Sequence, residues 1–450
     1  MLQCPAMPAI EAISLWAIPP LWSCLPFLLL LLSIAVLPLA APHWWESNVH
    51  KLVVSFFLGV ATILFLRFFV DHGSERIAHA AKEYVEFIAL LGSLYIISGG
   101  ILVAGSLAGT PLSNTIFLAI GSILANFIGT TGASMVLIRP LLRANQSRVH
   151  RVHLIVFFIF IVSNVGGLLT PLGDPPLFLG YLRGVPFAWT LRLWKEWLFM
   201  VAALLIAFNF LDQYLLGREE KELPGSQFEE AERAAKPIHI RGLINLLLLA
   251  GVVAAILLLD FPAKVVAMGA LSIASLLLTP RGLRRENRFT WDPILEVAIL
   301  FAGIFATMVP ALVLLEHAAA SSLPIREPWH FFWATGLMSS FLDNAPTYLA
   351  FASAASGLAG TNPDHLNELI GAHIAIGDRI LSGEALLVAI AVGSVFMGAN
   401  TYIGNGPNFM VKAIAEKAGI RMPSFMGYMK WSVGILIPLF VVVSLMFFRS

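Results

Sequence analysis

Charged residues are scarce in this chain of 450 residues. Asp, Glu, Lys and Arg together make up 12% of it, about half of the ~25% that is usual in soluble domains. Hydrophobic residues make up 58%, and the mean hydropathy is +0.84. This composition excludes an ordinary soluble domain.

Cysteine and the signatures of several enzyme classes are also scarce or absent. Two cysteines, Cys4 and Cys24, are too few for a disulfide framework or a zinc site. No Walker-type glycine loop, HExxH or GxSxG pattern occurs, which argues against ATP use and against hydrolysis. A formal net charge of +1 provides no electrostatic basis for nucleic-acid binding. We therefore expect no cofactor, no resident metal and no nucleic-acid partner, and any transport work would draw on an ion gradient.

Long apolar blocks dominate the rest of the sequence, and about 20 apolar residues in a helix cross the ~30 Å hydrocarbon core of a bilayer. Regions 110–142 and 330–357 are long enough to enter the membrane and return to the same side, and Gly, Asn, Thr or Pro interrupts both. Regions 150–180 and 383–411 start apolar and then become rich in Gly, Pro and Asn. We predict an all-α polytopic membrane protein with about ten transmembrane helices, two re-entrant hairpins and discontinuous helices. Regular spans are predicted near 22–41, 51–70, 84–108, 190–216, 240–259, 263–280, 293–317 and 429–448.

The first apolar block, 22–41, could instead be the core of a signal peptide. No Lys or Arg precedes it, so the basic region of a signal peptide is missing, and the block reaches full spanning length. We therefore interpret 22–41 as a span and 1–21 as an external segment.

Arginine-rich loops predict the orientation, because Lys and Arg accumulate on the cytoplasmic side. Loop 139–151 holds four arginines and no acidic residue, and loop 281–288 holds four arginines and one glutamate. We place both loops and the charged linker 217–241 in the cytoplasm. The net acidic loops 71–83 and 359–382 are then external. The predicted location is a plasma membrane, such as the bacterial inner membrane.

The two halves of the chain, 22–216 and 242–450, repeat the same series of spans and interruptions. Equivalent loops carry opposite charge, so the halves are predicted to have opposite orientations. Inverted repeats with discontinuous helices are typical of secondary transporters that bind substrate near the midplane. The matched segments are ANFIGTTGAS (125–134) with SSFLDNAPTY (339–348), and GLLTPLGDPPLF (167–178) with GANTYIGNGPNF (398–409).

Polar residues concentrate in the four interruptions, which are predicted to converge because irregular backbone within a bilayer must be buried in protein or line a wet cavity. A carboxylate at such a position suggests a function; the two are Asp174 and Asp343. Oxygen ligands suit a small alkali or alkaline-earth cation. The other predicted ligands are Asn126, Thr130, Thr131, Asn164, Thr170, Asn344, Thr347, Asn400, Thr401 and Asn405. The predicted backbone and hinge positions are Gly129, Gly166, Gly167, Gly173, Pro346, Gly404 and Gly406.

Structural roles compete with binding at several of these positions. Asp174 in GDPP could form a turn or cap a half-helix. Asp343 in LDNAP could cap the second arm of a hairpin, with Pro346 near its first turn. Glu86 and Glu296 open matched spans and could pair with nearby bases in a symmetric scaffold as readily as take part in transport.

Two of these segments resemble a known family. FLDNAP (341–346) and NVGGLLTPLGDPP (164–176) are similar to the FLDN-x-P and N-x-GG-x-x-x-P-x-GD elements of the ion transporter superfamily. Within it, the chain resembles NhaD-type sodium/proton antiporters and the citrate-transporter-like group, over about 86–425. The resemblance implies two inverted repeats with re-entrant hairpins, a homodimer with a scaffold and a moving part, and site residues at Asp343, Asn344 and Asp174.

The hairpin tips depart from part of that superfamily. Its dicarboxylate members carry Ser-Asn-Thr there, whereas this chain has Gly-Thr-Thr at 129–131 and Asp-Asn-Ala at 343–345. Together with the lack of Lys or Arg at the predicted tips, this favours a cationic cargo. The leading hypothesis is therefore an antiporter of Na⁺ (or Li⁺) and H⁺, in which Asp343 and Asp174 exchange cation and proton by alternating access.

The alternative is a sodium- or proton-coupled symporter of citrate or another organic anion, since half-helix N-termini hold anions without a basic side chain. An integral-membrane enzyme fits less well, because the two acids belong to opposite repeats and to mid-membrane interruptions. A channel also fits less well, because paired broken helices describe an occludable site better than a continuous pore.

Overall fold

The computed structural model describes residues 17–106, 109–222, 236–321, 325–376 and 379–449. Most of these residues are helical, as expected where lipid offers no partner to a free backbone N–H or C=O. This confirms the predicted all-α polytopic class. Parts of two predicted segments lie outside the described residues, namely 1–16 of the N-terminal segment and 223–235 of the linker.

The elements of the first half end at the charged linker. They are α1 (Leu25–Ala40), α2 (Pro42–Trp45), α3 (Asn48–Phe69), α4 (Gly73–Ser98), β1 (Leu102–Ser106), α5 (Pro111–Ala144), α6 (Val152–Ile161), α7 (Pro175–Leu182) and α8 (Trp194–Glu222). Short 3₁₀ helices lie at Leu21–Cys24, Val165–Leu169 and Phe187–Leu193.

The second half has a similar order. Its elements are β2 (Lys236–Arg241), α9 (Ile244–Leu258), α10 (Ala263–Leu278), α11 (Arg281–Glu286), α12 (Asp292–Thr307), α13 (Val309–Ser321), α14 (Pro328–Ser339), α15 (Asn344–Ala359), α16 (Leu366–Gly371), β3 (His373–Ile376), β4 (Arg379–Ser382), α17 (Gly383–Met397), α18 (Gly406–Lys417) and α19 (Phe425–Phe447). A 3₁₀ turn lies at Gly398–Asn400.

Within the described ranges, seven helical segments are long and apolar enough to cross a membrane, or eight if α12 and α13, bent by 48° at their junction, are one span. The helices α9 and α10 are apolar but shorter. The seven segments are Leu21–Pro38, Asn48–Phe69, Pro111–Ala144, Val152–Leu169, Phe187–Glu219, Gly383–Asn400 and Phe425–Phe447.

Both long interrupted regions fold back on themselves. In α5 the backbone leaves helical geometry at Gly129, with φ of 75°. Asn114 and Asn145 then exchange hydrogen bonds of 3.0 and 2.8 Å, although 31 residues of straight helix would span about 46 Å. In the second half, the rings of Phe331 in α14 and Phe351 in α15 pack with centroids 6.5 Å apart. Each region is therefore a helical hairpin.

An equivalent threonine hydrogen bond joins each hairpin to the broken segment of its own half. Thr170 Oγ1 donates a hydrogen bond of 2.5 Å to the backbone oxygen of Asn126. Thr401 Oγ1 donates one of 2.5 Å to the backbone oxygen of Ser340. The repeat alignment places Thr170 opposite Thr401 and Asn126 opposite Ser340, so the same contact recurs at equivalent positions.

Helices from the two halves also pack against each other, α3 with α12 and α10 with α4. Each pairing carries an ion pair. Lys51 of α3 lies 2.8 Å from Glu296 of α12, and Lys264 of α10 lies 2.7 Å from Glu86 of α4. The two glutamates left open by the sequence thus pair with lysines of the opposite half.

Several boundaries differ from the expected ones. The span predicted at 84–108 ends as a helix at Ser98, because Gly99 and Gly100 favour helix termination. The residues that follow form β1, which pairs antiparallel with β2; β3 and β4 form a second small sheet. The predicted loop 71–83 is largely helical, as the start of α4, and α8 continues into the predicted linker.

Candidate functional site

Asp174 lies buried where the first broken segment resumes as α7. Its side chain is 1% exposed, and it occupies the N-cap position without bonding to its own helix. The next two residues are prolines, which have no backbone N–H to offer. The carboxylate is therefore directed to partners elsewhere in the chain.

Three side chains donate hydrogen bonds to this carboxylate. Thr130 Oγ1 lies 2.8 Å from Asp174 Oδ1, and Asn405 Nδ2 lies 3.2 Å from the same oxygen. Asn344 Nδ2 donates to Oδ2. Each of the four interruptions contributes one of these four residues, so the structure brings the predicted breaks together around Asp174.

Four helix N-termini meet at this point. Thr130 follows the break in α5, and Asn344 is the first residue of α15. Asp174 and Asn405 occupy the N-cap positions of α7 and α18. Helix N-termini carry partial positive charge and favour a nearby anion. Among the described residues no Lys or Arg pairs with Asp174, so helix ends and neutral side chains carry this role.

A chain of amides holds Asn405 in place. Asn405 Nδ2 lies 3.1 Å from Asn164 Oδ1, and Asn164 Nδ2 donates a bond of 2.7 Å to Asn408 Oδ1. Asn408 Nδ2 bonds in turn to the backbone oxygens of Gly398 and Thr401, at 2.8 and 2.9 Å. These bonds direct the Asn405 N–H groups, rather than its oxygen, toward the carboxylate.

Asp343 has the capping geometry that the sequence left open. Its Oδ1 accepts a hydrogen bond of 3.1 Å from the backbone N–H of Ala345, and its backbone oxygen accepts one of 2.9 Å from Thr347 Oγ1. The side chain is half-buried. Asp343 is thus adjacent in sequence to a direct partner of Asp174, Asn344, and caps the helix that carries it.

Two amide oxygens of the site are buried without a hydrogen-bond partner among the described residues, Asn344 Oδ1 and Asn400 Oδ1. A buried acceptor without a donor costs about 1–3 kcal/mol, and amide oxygens are ligands that hard cations accept. Asn344 presents its other side-chain atom to Asp174. The site therefore combines a buried carboxylate with an amide oxygen that has no described donor.

Glycine is required where the breaks pack most tightly. A Cβ on Gly173 would lie 2.0 Å from the backbone oxygen of Gly167. At Gly129 the φ of 75° strains any other residue. A Cβ on Gly406, in contrast, would meet no atom within 4 Å. Gly166 closely approaches the backbones of Ile161 and Ser122. Gly404 closely approaches those of Gly398 and Ser339.

The remaining predicted residues lie around this centre. Asn126 Oδ1 accepts the backbone N–H of Leu169 at 2.8 Å, Asn400 Nδ2 bonds Ser340 Oγ at 2.9 Å, and Pro346 is buried in the first turn of α15. Thr131 is half-buried, and no described hydrogen bond joins its side chain to the centre.

Sequence reasoning missed two serines of this network. Ser340 receives bonds from both Asn400 and Thr401, and its alignment with Asn126 in the repeat was the signal that could have found it. The backbone oxygen of Ser163 accepts a bond of 3.2 Å from Asn405, and its hydroxyl lies 2.8 Å from that of Ser134. Nothing in the motif pattern distinguishes Ser163.

A buried ion cluster lies at the far end of α7. Arg183 Nε and Nη2 bond the two oxygens of Glu83 at 2.8 and 3.1 Å, and His79 Nε2 lies 3.4 Å from Glu83 Oε1. Burial raises the pKa of Glu83, but the charge and hydrogen bonds of Arg183, together with the adjacent His79, outweigh it, and the pKa is about 2. The contact with Glu83 raises the pKa of His79. Sequence reasoning did not identify this link between α4 and the end of α7.

Comparison with known proteins places this geometry among transporters. Residues 17–448 match the family described as "Putative citrate transport". The chain is also similar to two proteins described as uncharacterized transporters, one from Mycobacterium bovis and one from Mycobacterium tuberculosis. Each is 25% identical over 335 residues, covering 69% of this chain and 71% of the relative. The family match covers nearly the whole chain, and the chain therefore belongs to this family of membrane transporters.

Proposed function

We propose that the protein is a secondary active transporter in which Asp174 binds a cation and a proton alternately, as a sodium/proton antiporter does. The observation that carries this proposal is a buried carboxylate at the meeting point of four helix N-termini, surrounded by neutral side chains. Beside it, Asn344 Oδ1 is an oxygen without a described donor.

The chemistry of exchange follows from charge. Na⁺ would bind Asp174 with oxygens such as Thr130 Oγ1 and Asn344 Oδ1, after the Asn344 amide turns its oxygen toward the ion. When the cation leaves, a proton takes its place on the carboxylate. Asp174 with Na⁺ bound and Asp174 with a proton bound are both neutral. The unoccupied carboxylate is charged and is costly to move through a low-dielectric barrier. Exchange of cation for proton is thus favoured over return of an empty site.

Alternating access needs a fixed part and a moving part. We propose that the halves 22–216 and 242–450 are inverted repeats joined by the cytoplasmic linker 217–241, and that both hairpins are re-entrant. The pairs Lys51–Glu296 and Lys264–Glu86 support a scaffold shared by the two halves. The hairpins and broken segments would move against it, in a homodimer in the bacterial inner membrane.

Proteoliposomes that contain a pH-sensitive dye test this proposal. Addition of Na⁺ or Li⁺ should drive proton efflux with the native protein, and Asp174→Asn should abolish it. Asp260→Asn is a matched control, because it also removes one carboxylate but at an exposed position, and it should retain activity. Proton flux that is independent of Na⁺ and Li⁺ in the native protein would reject antiport.

A second candidate is symport of citrate or another organic anion, coupled to Na⁺ or H⁺. The family description and the four converging helix N-termini support it, since N-termini attract carboxylates. Asp174 would then hold the coupling cation, which neutralises its charge before the anion enters. Counterflow of labelled citrate, measured with and without Na⁺, separates this function from antiport. Native vesicles that fail to exchange citrate under both conditions would exclude citrate as the cargo.

A further inference from the structure

A second feature of the molecule, remote from Asp174, is a basic surface built from two parts of the chain. Arg139 and Arg143 lie on the second arm of α5, and the other arginines lie on α11 and the turn after it. The acidic residue of this stretch, Glu286, already pairs with Arg241 at 2.9 Å. We call the following set the arginine face: Arg139, Arg143, Arg281, Arg284, Arg285 and Arg288.

The two parts of the arginine face meet at the end of α4. Arg143 Nη2 donates a hydrogen bond of 2.8 Å to the backbone oxygen of Val103. Arg284 Nη1 donates one of 2.6 Å to the backbone oxygen of Ile96, and its guanidinium lies 5.3 Å from the ring centre of Phe289. Residues of α5 and of α11 thus bring positive charge to the same short segment.

This charge is not balanced within the described protein. The charges of Arg288 and Arg143 both act on Arg139, and no described ion pair joins any residue of the arginine face to a carboxylate. Arg139, Arg143 and Arg284 are half-buried, so water screens them less than fully exposed charges. Like charges from two parts of the chain thus lie close together without an ion-pair partner among the described residues.

The neighbouring aromatic residues indicate the depth of this surface in the membrane. Trp291 is 46% exposed and packs edge-on against Phe289, with ring centroids 5.3 Å apart. One turn further along, the apolar side chain of Leu295 is 48% exposed. Tryptophan concentrates at the level of the lipid headgroups, which places the arginines just outside it at headgroup depth.

We propose that the arginine face binds the phosphate of an anionic phospholipid headgroup and so bridges α5 and α11. Guanidinium groups bind phosphate oxygens in bidentate geometry, and basic pockets between helices on the cytoplasmic side suit such headgroups. The bound phosphate relieves the repulsion between the two sets of arginines. The acyl chains of the same lipid lie along the apolar surface near Leu295.

The test compares the thermal unfolding of the purified protein in mixed micelles with phosphatidylglycerol or phosphatidylcholine of the same acyl chains. Phosphatidylglycerol should raise the unfolding temperature of the native protein, and phosphatidylcholine should not. The double variant Arg139→Gln/Arg288→Gln should bind phosphatidylglycerol about thirtyfold more weakly, since each cation near an anionic surface contributes about fivefold. Neither position has a described ion pair, so the variant is expected to fold.

Lys417→Gln/Arg421→Gln is the matched control, because it also removes two cations, both exposed, and neither belongs to the arginine face. It should keep the native response. Arg139→Lys/Arg288→Lys, which retains the charge but loses the bidentate geometry, should respond less than the native protein and more than Arg139→Gln/Arg288→Gln. Equal responses of the two Gln double variants, or an equal shift with phosphatidylcholine, would overturn the proposal. So would the same shift with inorganic phosphate alone, which would indicate a soluble anion instead of a lipid. Transport activity does not enter this measurement, so its outcome is independent of the proposed function.

Discussion

The two broken segments are joined to their hairpins by the same hydrogen bond, but they differ in charge. Thr170 and Thr401 make the same hydrogen bond to the hairpin of their own half. At the helix cap that follows, one half has Asp174 and the other has Asn405, and these two side chains lie 3.2 Å apart. A nearly symmetric framework thus holds a single carboxylate. The two caps thus hold one ionisable group, where strict symmetry would have placed two acids in repulsive contact.

The largest expected effect comes from moving that charge. Asp174→Asn should reduce cation-dependent proton movement to background, because the only ionisable member of the four-residue centre is lost. The exchange variant Asp174→Asn/Asn405→Asp returns a carboxylate to the equivalent cap and should restore measurable, reduced coupling. Dye-loaded proteoliposomes measure both. An exchange variant as inactive as Asp174→Asn would show that the two caps are not interchangeable.

A large effect on stability is expected at a place where the halves are not equivalent. The alignments place Pro293 opposite Glu83 and Ile414 opposite Arg183, so the buried pair occurs in one half alone. Glu83→Gln removes the hydrogen-bonded charge partner of buried Arg183, leaves only Asp364 at 3.8 Å, and should lower the free energy of unfolding by about 3–5 kcal/mol. Glu75→Gln, at an exposed position of the same helix, is the control and should change it little. Thermal unfolding in detergent measures both, and equal effects would argue against a specific ion pair.

The same pair predicts how stability depends on pH. The pKa of Glu83, about 2, is below the ordinary value of 4.5, so the ionised form stabilises the fold. This contribution is fully present above pH 4.5 and is lost as the pH falls from about 4.5 to about 2. The raised pKa of His79 adds a contribution that is present below pH 6.5 and is lost as the pH rises through its pKa in the folded protein. In Glu83→Gln both dependences should flatten; retention of the native pH profile would assign it to other groups.

A smaller effect on stability tests whether the two threonine hydrogen bonds are equivalent. Thr170→Val and Thr401→Val each remove one hydroxyl and leave a backbone oxygen without that donor, which costs about 1–3 kcal/mol. Similar losses of unfolding temperature in the two variants would support the repeat. A loss confined to one variant would show that one half alone depends on this bond.

Much of this arrangement could be predicted from the sequence. The alignment of 167–178 with 398–409 located both breaks, and the polar residues in them include all four members of the centre. The sequence did not show which acid is central, since Asp174 and Asp343 both occupy breaks and both precede a helix. In retrospect the residues after them distinguish the two. Asp343 caps the backbone N–H of Ala345, whereas the two prolines after Asp174 remove the first two donors of its helix, and its side chain makes no capping hydrogen bond.

Contacts between distant segments were beyond sequence reasoning. β1 pairs with β2 between residues 130 to 139 positions apart, and the hydropathy of 102–106 resembles the end of a span. The partners of Glu86 and Glu296 could not be predicted for the same reason. A lysine at the start of an apolar helix is ordinary on its own, and its pairing is determined by helix packing between the halves.

The pairs Lys51–Glu296 and Lys264–Glu86 also concern the synthesis of the protein. Lys51 and Glu86, both in the first half, are 4% and 3% exposed in the finished structure, and each obtains its counter-charge from the second half. At about 5–20 residues per second, roughly 10–50 s separate the translation of Lys51 from that of Glu296. During that interval the first half cannot complete its packing without burying unpaired charges. We therefore expect the first half to complete its packing only after the second half is inserted.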